Sequence, residues 1–404
     1  MAIAYQWVIV AILWVSHTAY YLNYMTIGTL APFMKSDLRL SSVHIGLLSS
    51  AITIGSMVVQ IPSGALADRF GAKWVMVIGL VLVGLSTLSI ALAHSYLAIF
   101  LLLVLVGVGI GGNQTPGSKA IIMWFPLKGR ATGMGIKQTG INMGGILASF
   151  MLPLIALHYN SWRFSFVATG LAAIAAAAPI LLLYKDPADY QAMCSEPVFS
   201  RKSGFFRLLC ERDFILVCLT GVFLIATQFA FATYFMLYVT TVLGFQLAEC
   251  GFLLALSFFS GAIGRIGWSV VSDYLLGGRR NTILVIIGLM GMGTSLICVG
   301  LGAGMSSFLI YCLAVLFGFT GLGWNALYLT RVGEYPEKRL AGTATGLAFA
   351  ISNIGAISGP PVFGYLVDMT GGYGAGWLFT AFCMAMVALL TMIQKKERMG
   401  ANAP

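Results

Sequence analysis

The chain has 404 residues, of which 59% are hydrophobic and only 9% charged, with a formal net charge of +10. A water-soluble chain carries about 25% charged residues and must leave much of its surface to water, so this composition excludes an ordinary soluble globule. Its apolar runs are long and continuous rather than short and alternating, which excludes a membrane β-barrel.

In chain order the apolar runs fall at 6–33, 43–66, 74–93, 96–123, 131–157, 164–184, 213–242, 251–272, 282–301, 308–332, 343–369 and 377–394. Stretches such as 74–93, 164–184 and 284–301 hold 18 or more residues almost free of charge. At 1.5 Å per residue each is long enough to cross a hydrocarbon layer of about 30 Å. The fold class predicted is an all-α polytopic membrane protein with twelve transmembrane helices.

The first span carries His17, Tyr20, Tyr21 and Tyr24 at helical spacing. A stripe of hydroxyls and an imidazole facing lipid would go unsatisfied, so it faces either a wet cavity or another helix. Between the second and third spans stands Gly64-Ala-Leu-Ala-Asp68-Arg69-Phe-Gly71-Ala-Lys73, a charged loop in which Gly64 permits close helix approach and Gly71 a tight turn. Asp68 there offers a carboxylate to a helix N-terminus or a cation. The fourth span holds Asn113 and Gln114. Its Gly107-Val-Gly109-Ile-Gly111-Gly112 resembles a dinucleotide loop only superficially, because no strand precedes it; close helix packing explains it. Lys119 lies toward a helix end, where anchoring or pairing accounts for it. In the fifth span Lys137 sits beside Gln138, which shares a face with Asn142. Two readings fit Lys137: a side chain reaching back to the cytoplasmic interface, or a ligand for an anionic solute.

Residues 185–212 form the longest polar interruption and read as a cytoplasmic linker between an N-terminal bundle, 1–184, and a C-terminal one, 213–394; residues 395–404 are a tail. Past the linker, Gln228 adds a polar group in the seventh span, and Asn325 and Tyr328 do so in the tenth. Arg331, like Lys119, lies near a helix end. Arg265 lies well inside the eighth span, in Gly264-Arg265-Ile-Gly267-Trp268, and no Asp or Glu occupies the middle of any span. A guanidinium there bonds backbone carbonyls, pairs with a carboxylate of another helix, or binds an anion that its planar fork suits. After it come Ser272-Asp273 and Gly277-Gly278-Arg279-Arg280, a degenerate counterpart of the first loop.

Sixteen of the 23 Lys and Arg fall in one alternating set of loops and the tail, and the opposite loops hold only Lys35, Arg39 and Arg163. By the positive-inside rule both termini lie in the cytoplasm, so the basic balance reports topology and not a nucleic-acid partner. The halves also repeat one another. Gly109-Ile-Gly111-Gly-Asn113 recurs as Gly321-Leu-Gly323-Trp-Asn325, and Asn142-Met-Gly144 as Asn353-Ile-Gly355. Seven cysteines are scattered without metal or disulfide spacing. There is no cleavable signal, paired carboxylate or Walker sequence, so neither an enzyme nor a cofactor is expected.

The loop 64–73 resembles the signature of the major facilitator superfamily, Gly-x-x-x-Asp-Arg-x-Gly-x-Lys/Arg. Helix count, halves and linker extend the resemblance over the whole chain. It implies two pseudo-symmetric six-helix bundles that alternate access to a midplane site, with Gly64, Asp68, Arg69, Gly71, Lys73 and Asp273 gating the change. Gly264-Arg265, Trp268, Ser272-Asp273 and Arg279-Arg280 resemble the eighth helix of monocarboxylate and oxalate/formate-type carriers, whose arginine binds substrate carboxylate. One turn before the arginine stands Gly261, where some lactate carriers have a polar partner.

The function expected is secondary transport of a small organic anion, a mono- or dicarboxylate, by a monomer in a bacterial-type inner membrane. Arg265, Tyr20, Tyr24, Asn113, Gln114, Lys137, Gln138, Asn142, Gln228, Asn325 and Tyr328 are the candidate solute residues. His17 is the candidate proton-coupling residue, because an imidazole titrates near neutrality. The rivals are a drug or metabolite exporter of the same fold, disfavoured by the lack of an arginine in the fourth span and a Gly-Pro in the fifth, and a non-transporting sensor or scaffold.

Overall fold

A computed structural model of the chain describes residues 2–125, 127–187, 210–302, 304–334 and 341–394. The predicted linker lies outside these residues except at 185–187 and 210–212, and the tail lies outside them entirely. Every regular element among the described residues is helical, as a bilayer core requires of a chain that must satisfy its own backbone. Twelve helical segments are long and apolar enough to cross a membrane.

The described residues form two compact units. The first contains α1 (Ala2–Tyr24), α2 (Thr26–Asp37), α3 (Ser42–Phe70) beyond its opening turn, α4 (Ala72–Leu92), α5 (Tyr96–Trp124), α6 (Leu127–His158) and α7 (Trp162–Leu183). The second contains α8 (Arg212–Thr241), α9 (Leu247–Val270), α10 (Arg280–Val299), α11 (Ser307–Phe317), α12 (Asn325–Glu334), α13 (Ala341–Thr370) and α14 (Gly374–Ile393). The opening turn of α3, Ser41–Gly46, groups with this second unit, where the Asp368 carboxylate accepts from the backbone N–H of Ser42 and Val43, each at 2.8 Å.

Local signals start several helices. The Ser95 hydroxyl accepts from Ala98 N–H at 3.2 Å ahead of α5, and Gln246 with Glu249 closes a capping box ahead of α9. Three boundaries differ from the sequence reading. The first span breaks at Met25 into α1 and α2. Next, α3 continues to Phe70, so Gly64, Asp68 and Arg69 stand on its last turns and not in a loop. Helix-forming Ala65, Leu66 and Ala67 carry the helix past the apolar run, and Gly71 alone makes the turn, at φ +86°. Finally, α9 and α11 each run into a π-helical turn, Val271–Leu275 and Gly318–Leu322.

Helix pairs approach where side chains are absent. A Cβ at Gly140 of α6 would lie 2.8 Å from Trp14 O and 2.9 Å from His17 Cβ of α1, so only glycine allows this crossing. In the second unit a Cβ at Gly264 of α9 would lie 2.6 Å from Phe319 O and 3.2 Å from Gly323 Cα. Around that contact Phe214, Trp268, Trp324 and Tyr328 form part of a buried aromatic core.

Candidate functional site

The first unit buries a cation. Lys137, about three turns into α6, is fully buried, and its Nζ donates to Ser118 Oγ of α5 at 2.7 Å. It belongs to no ion pair among the described residues. The alternative in which Lys137 reaches back to the interface does not fit a side chain with no exposure. The Gly140 crossing sets His17 of α1 against the same part of α6, within electrostatic reach of Lys137. His17 and Tyr20 lie one turn apart, at 1% and 2% exposure, with ring centroids 4.7 Å apart in an edge-on arrangement. His17 Nε2, Tyr20 Oη and Gln138 Oε1 are buried atoms without a hydrogen-bond partner. Such groups are few in folded proteins and ask for an explanation.

Other candidates in this unit are committed elsewhere. Asn113 accepts from Ser16 Oγ at 2.7 Å and donates to Met76 O at 2.8 Å, which ties α1, α4 and α5 together. Each end of the amide thus makes one bond within the bundle. Tyr24 stacks on Tyr21 at 5.7 Å and bonds the Thr53 hydroxyl. Asn142 is buried on α6, and Gln114 is half-buried on α5. Ser118, which holds Lys137, was not singled out in the sequence; a serine in an apolar span gives no signal until its partner is known.

In the second unit Arg265 is half-buried on α9, and its Nε donates toward Leu322 O at 3.4 Å. One turn on, Trp268 Nε1 donates to Phe319 O at 2.8 Å. Both carbonyls belong to the π turn 318–322, whose wider ring interrupts the α ladder and leaves carbonyls for side chains. Gln228 on α8 is buried, with Oε1 unpartnered. Tyr328 is buried, and its hydroxyl lies 3.2 Å from Val217 O and 3.1 Å from Ser352 Oγ, so it joins α12 to α8 and α13. Asn325 is half-buried at the start of α12. The Arg331 Nε donates to Asn281 Oδ1 at 2.7 Å.

The predicted gating residues cluster at helix ends. Asp68 pairs with Lys119 of α5. Arg69 is exposed and lies over the Phe70 ring at 5.1 Å. Gly64 has Thr115 Cγ2 3.4 Å from its absent Cβ. Gly71 faces Asp186, whose carboxylate accepts from Ala72 N–H at 3.1 Å and Lys73 N–H at 3.4 Å and so caps α4. Burial pushes the Asp186 carboxyl above its ordinary range despite these bonds. In the second unit Asp273 pairs with Arg280, which also donates to Ser272 Oγ at 3.0 Å. No group of His, Cys, Asp and Glu among the described residues could hold a metal ion.

Comparison with known proteins places these features. The family model described as Major Facilitator Superfamily matches residues 13–360 and again 251–404. A hexuronate transporter of Bacillus subtilis (strain 168) is 24% identical, over 93% of this chain and 90% of its own length. A probable galactarate/D-glucarate transporter of the same organism is 24% identical, over 96% and 91%. Among solved structures a nucleoside transporter superposes with TM-score 0.79 at 16% identity, over 98% of this chain and all of its own.

Proposed function

The chain belongs to the Major Facilitator Superfamily, and from that premise we propose that it carries a small organic anion, a mono- or dicarboxylate, by alternating access in symport with a proton. Membership makes it a multi-pass membrane transporter and not an enzyme. Lys137 carries the substrate reading. A charged side chain inside a spanning helix costs up to about 2.5–3.5 kcal/mol on insertion scales, and here a single serine hydroxyl offsets that cost. A carboxylate solute supplies the missing charge. Two relatives are named for acids, a uronate and sugar diacids, which supports the same class.

The roles follow from chemistry. Lys137 anchors the carboxylate in the first unit, and Arg265 offers a second cation in the other, its fork suited to a carboxylate. His17, beside Lys137, holds the coupled proton at Nε2. Two neighbouring basic groups repel when both are charged, so a bound anion is what allows the second proton to load. The bundles 1–184 and 213–394 act as the moving parts, joined by the 185–212 linker, in a bacterial-type inner membrane with both termini cytoplasmic.

The test is uptake into proteoliposomes by wild type and His17→Gln. Wild type concentrates a labelled uronate or aldarate when the outside is acidic and ignores a neutral sugar. The His17→Gln variant equilibrates the acid without concentrating it. Accumulation by the variant removes His17 from coupling, and transport of the neutral sugar alone removes the anion reading.

A further inference from the structure

The unpartnered atoms near Lys137 specify more than a negative charge. Resting on the anion reading above, these atoms bear on what else the solute must carry. His17 and Tyr20 are sealed from solvent, and a buried polar group left unbonded costs about 1–3 kcal/mol. Gln138 Oε1, on α6 next to Lys137, is a third such atom. A plain aliphatic acid offers only carboxylate oxygens, which can accept from Lys137 and from the Tyr20 hydroxyl but give no donor to a bare His17 Nε2 or to Gln138 Oε1, because its chain neither donates nor accepts.

The histidine ring narrows the choice. Nε2 is the ring nitrogen without a partner, and in the tautomer that carries its proton on Nδ1 it is bare. The neutral ring therefore presents Nε2 as an acceptor. If Nε2 gains a proton, the same atom becomes a donor. A hydroxyl serves both states, since it donates to the bare nitrogen and accepts from the protonated one. Tyr20, a hydroxyl itself, can give or take a bond from a second one. An amide nitrogen on the solute would serve only one state of His17, and a methylene neither.

We propose that the first-unit site takes hydroxylated carboxylates, with Lys137 on the carboxylate and His17 and Tyr20 on hydroxyls of the same molecule, and that these two residues set the preference over unsubstituted acids. A site whose buried groups are built to bond a hydroxyl rejects the analogue lacking it far more strongly than an apolar pocket rejects a size change.

Matched pairs of acids test this on the purified full-length protein by calorimetric binding: glycolate against acetate, lactate against propionate, and gluconate against hexanoate, with sorbitol as the uncharged polyol. The expected result is that, in every pair that binds, the hydroxylated acid is at least about tenfold tighter, and sorbitol does not bind. Tyr20→Phe and His17→Gln each remove most of that preference, and an unchanged elution profile and thermal midpoint establish that they fold. Equal affinity within pairs, with both members lost in Lys137→Gln, overturns the hydroxyl inference and leaves the anion reading standing. Sorbitol binding as tightly as gluconate, or binding of none of the acids, overturns both. A preference unchanged in Tyr20→Phe and His17→Gln overturns the assignment to these residues.

Discussion

In the first unit a lysine is fully buried and held by one serine hydroxyl; in the second an arginine is half-buried and leans on a main-chain carbonyl. The two units bear traces of one repeated sequence, yet they stabilise their cations by different means. A compact ammonium fits where glycine closes α1 onto α6, and a neighbouring side chain can supply its bond. A planar guanidinium is wider and needs acceptors along its edge, which a disturbed helix provides without any polar side chain. The difference teaches that a cation inside an apolar bundle can be prepared either by side chains or by backbone geometry, and that the two leave different marks in a sequence.

The largest expected effect breaks the comparison at the cations. Lys137→Gln lowers acid uptake in proteoliposomes about a hundredfold, in line with the ~3 kcal/mol loss for a buried charge partner. Lys137→Arg restores it poorly, because a planar guanidinium needs acceptors along its edge where the ammonium has one serine hydroxyl. Arg265→Gln loses at least about tenfold, and Arg265→Lys recovers little because the bidentate geometry is gone. Wild-type uptake by Lys137→Gln, with none by Arg265→Gln, would move the anchor to the second unit.

A smaller effect separates the two supports. Ser118→Ala strips Lys137 of its bond and weakens substrate binding about tenfold, the value of one charge-assisted hydrogen bond. Trp268→Phe keeps an aromatic ring beside Phe319 but removes its bond to the π-turn carbonyl, so binding falls only about threefold while the main-chain contact to Arg265 persists. Binding isotherms of both variants decide the order. A larger loss in Trp268→Phe would show that the second support is not a backbone device.

The sequence made the helices legible because lipid tolerates long apolar runs that water does not. It also marked Lys137, His17 and Tyr20 as unusual, since each is expensive in a span. It could not separate them from Asn113 and Tyr328, because an amide or phenol committed to a neighbouring helix has the same one-letter signature as one awaiting a solute. Ser118 was silent for the opposite reason: serine is cheap in a helix, and its importance lies wholly in its partner. The π turns were illegible too. Gly318, Gly321 and Gly323 are compatible with tight α packing, and only the hydrogen-bond register distinguishes the two forms.

The smallest effect lies at the α4 cap. Burial raises the Asp186 carboxyl above its unfolded value, so its protonated form is favoured in the folded state. Its stabilising contribution is present at acid pH and lost as pH rises through the raised value. Ala72 bonds Oδ1 and Lys73 the longer contact to Oδ2, so Asp186→Asn removes the charge and keeps an acceptor for one of the two N–H groups, and the variant exceeds wild type only slightly in thermal midpoint at neutral pH. The gap closes as pH falls toward the carboxylate range. A variant less stable at neutral pH, by melting at a series of pH values, would show that the charge itself makes the cap.

The π turn at Gly318–Leu322 has a consequence for inheritance. It fits one more residue into the span than an α-helix of the same rise would take. Deleting one residue there would relax the turn to α over the same rise, so the segment that follows would keep its place. The Phe319 and Leu322 carbonyls would instead return to the helical ladder and be lost to Trp268 and Arg265. A side chain at Gly318 acts on a different link, since its Cβ would overlap Ser257 O and Ser260 Oγ of α9. A one-codon deletion thus spares the helix contact and removes the two side-chain bonds, whereas a substitution at Gly318 pushes the helices apart.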